Sequence, residues 1–324
     1  MDVRVLIRIH IRCFGFFGFW MERYRTRSGY FILRIGFGFL RFGFGLFRHG
    51  HAHFVLVHGA GHGAWCWYKL IPILKSQGHN VTAVDLAASG IDLSRAETLL
   101  SINEYIEPLM DLMNSLNVDE KVILVAHSFG GLAISKAMEL FHDKVHMAIF
   151  VTALMPGPTF NFTFLSKGSN IDRSFKKFQN NTFKLFLVRW QAPLLDMKFI
   201  FGDGPNKPPT LSIGGPLFLS LNMYDLSPRE DVELAGALVR PQRLFSNEDI
   251  DTSLVLTPER YGSVNRIFVV SEKDKTLMKE FQLWMIKNNP PNHVEHIQDS
   301  DHMVMISRPL DLGDRLLSLA KKFA

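Results

Sequence analysis

Cysteine is scarce in this chain: Cys13 and Cys66 are the only two in 324 residues. That rules out a disulfide framework and leads us to expect a reducing, cytoplasmic setting. Long apolar runs are also missing. The longest uncharged stretch near the start, Cys13 to Met21, is far short of the ~20 apolar residues that cross a bilayer. No segment of about 20 to 50 residues recurs, so a solenoid or propeller is not expected. Lysine is absent from the first fifty residues, where arginine carries all the positive charge.

That last absence locates the net charge of +5. Residues 1–50 hold nine arginines against Asp2 and Glu22, a charge of +7, which leaves −2 on the other 274 residues. The body therefore has no basic stripe to track a phosphate backbone, and nucleic-acid binding drops out. Residues 1–50 also hold ten of the 28 phenylalanines, many in Phe-Gly steps such as Phe37-Gly38-Phe39. We expect a disordered extension or a wrongly assigned start there. Organelle targeting and a membrane-surface anchor are the alternatives.

From His53 the text changes. His53 to His58, Asn80 to Leu86, Val122 to Ala126, Val145 to Val151, Arg266 to Val270 and Val294 to Ile297 read as short strands, apolar on both faces for the most part. Helical spacing falls between them, over Trp65 to Gln77, Ile102 to Leu116, Leu132 to Phe141, Met278 to Lys287 and Pro309 to Lys322. Alternation of this kind predicts an α/β domain over 51–324, a mostly parallel sheet with helices on both faces. Between about Pro156 and Phe245 the rhythm fails and no strand stands out. Such a length is too great for a plain loop, and an inserted, mostly helical cap is expected over the sheet edge.

Ala126-His127-Ser128-Phe129-Gly130 lies between a strand and a helix and fits the G-x-S-x-G nucleophile elbow, with alanine at the first small position. The elbow lifts a serine hydroxyl above the sheet and points the next N–H groups at a developing oxyanion. Serine needs a base, and the base needs an orienting acid. Asp274 follows one late strand and His302 the next, in the chain order Ser, Asp, His. Glu272 is the rival acid, and Asp301 is either an orienting carboxylate or a turn residue. His127 adjoins the nucleophile and is expected to point away from it. The oxyanion donors are assigned to Phe129 and, from the glycine-rich loop His58-Gly59-Ala60-Gly61-His62-Gly63, to Ala60. That loop could instead cradle a dinucleotide. Its glycine spacing is wrong for that role, and Trp65 and Trp67 are too bulky for pyrophosphate packing.

Longer stretches carry more. HFVLVHGAGHGAWCWYKL (53–70), VTAVDLAASGIDL (81–93), EKVILVAHSFGG (120–131), YGSVNRIFVVSEKD (261–274) and SDHMVMISRP (300–309) closely resemble the plant methylesterase family of α/β-hydrolases. Salicylate-binding esterases, polyneuridine aldehyde esterase and plant hydroxynitrile lyases are relatives. The resemblance implies an α/β-hydrolase fold and a carboxylic ester hydrolase acting on methyl salicylate, methyl jasmonate or methyl indole acetate. It implies a triad at Ser128, Asp274 and His302, a small ester as partner, no metal and no cofactor; a homodimer is an option for assembly. Two positions depart from the family's habit, Ala126 for glycine and Phe129 for a smaller or aliphatic residue. The alternatives are a cyanohydrin-cleaving lyase and a non-catalytic hormone receptor. The family's lyases carry lysine after the catalytic histidine and threonine in the first loop, where this chain has Met303 and Gly59.

Overall fold

In this computed structural model the chain divides into two units, Met1–His49 and Gly50–Ala324. The structure describes residues 18–25, 31–38, 51–167 and 194–322. In the first unit β1 (Gly18–Arg25) and β2 (Phe31–Gly38) pair antiparallel, with Gly18 opposite Gly38 and Arg25 opposite Phe31. The rest of what the sequence suggests for 1–50 falls outside the described residues.

The second unit is built on six parallel strands. They are β3 (His53–Val57), β4 (Asn80–Val84), β5 (Val122–Ser128), β6 (Val145–Ala153), β10 (Asn265–Ser271) and β11 (His293–Ile297), in the spatial order β11-β10-β6-β5-β3-β4. The central strands are buried on both faces. Phe54 to Val57, Ile123 to Ala126 and Ile267 to Val270 are all 2% exposed or less. Apolar residues at consecutive positions can be satisfied only where helices cover both sides of the sheet. α1 (Leu70–Ser76), α2 (Ile102–Ser115), α3 (Gly130–Leu140), α7 (Lys279–Asn288) and, after the short α8 (Val304–Ser307), α9 (Pro309–Lys322) supply that cover.

Local chemistry sets several element ends. Ser101 caps α2 by accepting from the Glu104 N–H, while Glu104 accepts from the Leu100 N–H, closing the first turn as a serine-glutamate pair does. Along α9 the buried residues Leu312, Leu316 and Leu319 recur at helical spacing. The stretch read as one helix over Trp65 to Gln77 is two pieces, a 3₁₀ turn at Ala64–Trp67 and then α1.

The insert between β6 and β10 differs from expectation in one respect. It contains helices α4 (Phe162–Lys167), α5 (Arg229–Leu238) and α6 (Asn247–Ser253) and the helical turns Pro216–Phe218 and Leu219–Met223. It also holds a small antiparallel sheet of β7 (Lys198–Ile200), β8 (Leu211–Ile213) and β9 (Gln242–Arg243). Strands of three, three and two residues are too short to show a period of two, so nothing in the text announces them. Among the described residues no helix is long and apolar enough to cross a membrane.

Candidate active site

In a parallel α/β sheet, side chains that follow the strands gather at the carboxyl edge. Here β3, β5, β10 and β11 deliver in turn the Gly59 loop, Ser128, Asp274 and His302 to that edge. β5 ends at Ser128 with φ +53°, a left-handed conformation that a non-glycine residue adopts at a cost. The turn is possible because its neighbours are small. A Cβ on Gly130 would come within 2.4 Å of the His58 carbonyl oxygen, and one on Gly131 within 2.0 Å of that of Leu154. Ala126 is wholly buried in the strand.

The structure brings Ser128, His302 and Asp274 together. His302 Nε2 lies 3.0 Å from Ser128 Oγ, positioned to accept its proton. On the other side of the ring Nδ1–H donates to Asp274 Oδ2 at 2.7 Å. Asp274 is nearly fully buried, and each of its lone pairs is used. Oδ1 accepts from the N–H groups of Thr276 (2.7 Å) and Leu277 (2.8 Å), and Oδ2 also accepts from Thr152 Oγ1 at 2.5 Å.

The rivals lie elsewhere. Glu272 turns outward to Lys279 and to His296 Nδ1 at 2.6 Å. Asp301 is buried, and burial raises its carboxyl above the usual range. It accepts from the Met303 N–H at 2.9 Å, the Leu226 N–H at 3.0 Å and Ser227 Oγ at 2.7 Å. It therefore shapes the histidine turn and ties it to the cap, and it does not touch the His302 ring.

His127 makes no hydrogen bond to Ser128, yet it is not remote from the site. It lines the same pocket as Ser128. Its ring packs 4.6 Å from that of His302 and its Nε2–H donates to the His302 carbonyl at 2.8 Å. Chain adjacency forbids it from bonding the serine, but the fold returns the histidine loop above it. Burial, with His302 beside it, holds its pKa well below that of a free imidazole. Burial likewise lowers His62 to about 4. His62 Nδ1–H donates to the Ala60 carbonyl at 2.9 Å, and Nε2 accepts from Tyr224 Oη at 2.8 Å. That neutral imidazole fixes the backbone of the first loop from below. Sequence alone did not single out His62, because its partner Tyr224 is 162 residues away in the cap.

Around the Ser128 hydroxyl, the N–H of Gly61 is taken by Gln242 Oε1 (3.1 Å) and that of His62 by the Gly59 carbonyl (3.3 Å). Those of Ala60 and Phe129 have no protein acceptor among the described residues, and both residues line the pocket. Donors left free beside a nucleophile suit an oxyanion. Beyond them the cavity is walled by Leu154, Met197, Ile213, Phe218, Leu219 and Leu277, most of them from the cap. Such walls suit the apolar body of a small ligand whose polar end meets a few fixed groups.

Known proteins match the chain along most of its length. Residues 54–314 match the model of the alpha/beta hydrolase family. Methyl jasmonate esterase 1 of Vitis vinifera is 46% identical over 272 residues, 84% of this chain and 98% of its own length. Salicylic acid-binding protein 2 of Nicotiana tabacum is 43% identical over 271 residues, with the same coverage of 84% and 98%. Among solved structures, tomato methylketone synthase I complexed with 2-tridecanone superimposes with a TM-score of 0.75 at 46% identity, covering 85% of this chain and all of that one.

Proposed function

The chain belongs to the alpha/beta hydrolase family and, within it, to the plant methylesterases, and from that premise we propose that it demethylates small hormone-type methyl esters, methyl jasmonate, methyl salicylate and methyl indole acetate first among them. The observation that carries the reading is the unbroken relay of 3.0 Å from Ser128 Oγ to His302 Nε2 and 2.7 Å from His302 Nδ1 to Asp274. Ser128 Oγ attacks the ester carbonyl as His302 Nε2 takes its proton. The carbonyl oxygen, now negative, turns to the N–H groups of Ala60 and Phe129. Collapse of the tetrahedral adduct breaks the bond to the methoxy oxygen, which leaves as methanol with the proton from His302. Water then repeats the sequence on the acyl-enzyme and releases the free acid.

Cyanohydrin cleavage, the second reading, fits the site poorly. Met303 is buried, offers no charge for a leaving cyanide, and spends its N–H on Asp301. At Gly59 a Cβ would stand 2.8 Å from that of Ser128, so this backbone has no room for threonine. The receptor reading has to account for a strained serine held against a paired histidine, an arrangement that ligand binding does not need. The cytoplasm is the compartment we propose, on the rarity of cysteine and the free, buried thiol of Cys66.

Purified protein assayed on the three methyl esters and on mandelonitrile tests this directly. Ester turnover should fall by about 10⁴-fold or more in Ser128→Ala, with no cyanide released above the uncatalysed rate. Cyanide release abolished by that substitution, without ester turnover, would reverse the assignment.

A further inference from the structure

Thr152 stands out in strand β6. It is fully buried yet has φ +37°, where a β-branched side chain is a genuine outlier. The pairing of β5 with β6 shows why. His127 faces Val151 and Ser128 faces Ala153, so Thr152 is the extra residue of a bulge directly opposite the nucleophile elbow. Beyond it the ladder closes again, with the Leu154 N–H donating to the Ser128 carbonyl at 2.9 Å. Bulges re-aim a side chain, and this one aims Thr152 Oγ1 at Asp274 Oδ2, 2.5 Å away. That oxygen is the one that receives His302 Nδ1–H.

We propose that Thr152 is a positioning residue for ester hydrolysis, holding Asp274 in the rotamer that orients His302 and drawing charge from its carboxylate. The inference rests on the esterase reading above. The two amide donors from Thr276 and Leu277 pin Oδ1 but leave the carboxylate free to rock about that anchor. The Thr152 hydroxyl closes the remaining direction. A strained backbone persists at a functional site when the side chain it presents is needed there, and no other contact of Oγ1 competes among the described residues.

Thr152→Val keeps the branch and the backbone demand and removes only the donor; Thr152→Ser keeps the donor. The valine variant should lose about tenfold or more in kcat, the scale of one hydrogen bond to a charged group, with KM within about twofold. Its carboxylate, no longer sharing charge with the hydroxyl, holds the imidazolium more firmly, so the acid limb of kcat/KM should move to higher pH. Thr152→Ser should recover most of the rate and return the limb. Melting temperatures of both variants separate folding from positioning. Should valine destroy the fold, Thr152→Ala compared with Thr152→Ser gives the same contrast. Wild-type kcat and pH profile in the donor-less variants would overturn the inference, as would equal losses in serine and valine that track melting temperature. Wild-type protein without Ser128-dependent ester turnover would instead refute the parent reading.

Discussion

Gly59→Ala is a small change whose effect the geometry makes large. The new methyl carbon would stand 2.8 Å from Ser128 Cβ, 3.0 Å from His127 Nδ1 and 3.3 Å from the His127 carbonyl oxygen. Ordinary contact begins near 3.4 Å, so the Gly59 loop and the elbow must part by about 0.6 Å. Neither side gives easily. The elbow is closed by Gly130 and Gly131 against backbone, and the loop is held by Gln242, His62 and Tyr224. Overpacking on this scale costs about 1–3 kcal/mol, or a drop of very roughly 2–4 °C in melting temperature per kcal/mol in a domain of this size. The effect on rate should be disproportionate. Ala60 follows Gly59, and its N–H is the proposed oxyanion donor. Displacement approaching an ångström at such a group costs on the order of 10²-fold. Stopped-flow and steady-state hydrolysis of p-nitrophenyl acetate, beside a thermal melt, would measure both. A variant with wild-type kcat would show either that the loop yields freely or that Ala60 does not serve the oxyanion, and the reasoning would fail.

Other expectations follow from the same geometry. Asp274→Asn should lose about 10⁴-fold in kcat, because an amide cannot satisfy two N–H donors at one end and His302 with Thr152 at the other without inverting the imidazole tautomer. Glu272→Gln should stay within about twofold in activity and 1 kcal/mol in stability, since its partners Lys279 and His296 lie at the surface side; a worse defect there than at Asp274 would relocate the acid. Burial lowers His62 to about 4, so between pH 6.5 and 4 the unfolded chain binds a proton that the folded one does not. Stability from this group is complete above pH 6.5 and lost on acidification, by about 2 kcal/mol at pH 5. Urea midpoints at pH 7.5 and 5.0 should therefore differ less in His62→Gln than in wild type, and equal pH dependence in the two would refute that account.

Much of this molecule was written locally. Apolar runs such as Val122 to Ala126 mark strands buried on both faces, because a half-exposed strand would alternate and a buried helix would run longer. The small residues around Ser128 announce a tight elbow for a steric reason visible in five letters. Ser128, Asp274 and His302 each come at or after the end of a strand, which gathers them on one edge because the parallel strands all end on the same side. What the text could not contain were relations between residues far apart in the chain. The bulge at Thr152 depends on how β6 registers against β5, and its hydroxyl meets Asp274 122 residues on. His127 meets His302 only because the histidine loop folds back over it. The cap strands β7 to β9 are too short to carry a period and exist by mutual pairing. Glu272, the rival acid on paper, and Asp301, there either an orienting carboxylate or a turn residue, are distinguished from Asp274 only by which way each side chain turns once the loops are packed. Local sterics and periodicity fix elements and turns; distances and directions between side chains arise only when the sheet assembles, and the further chemistry of the site resides in them.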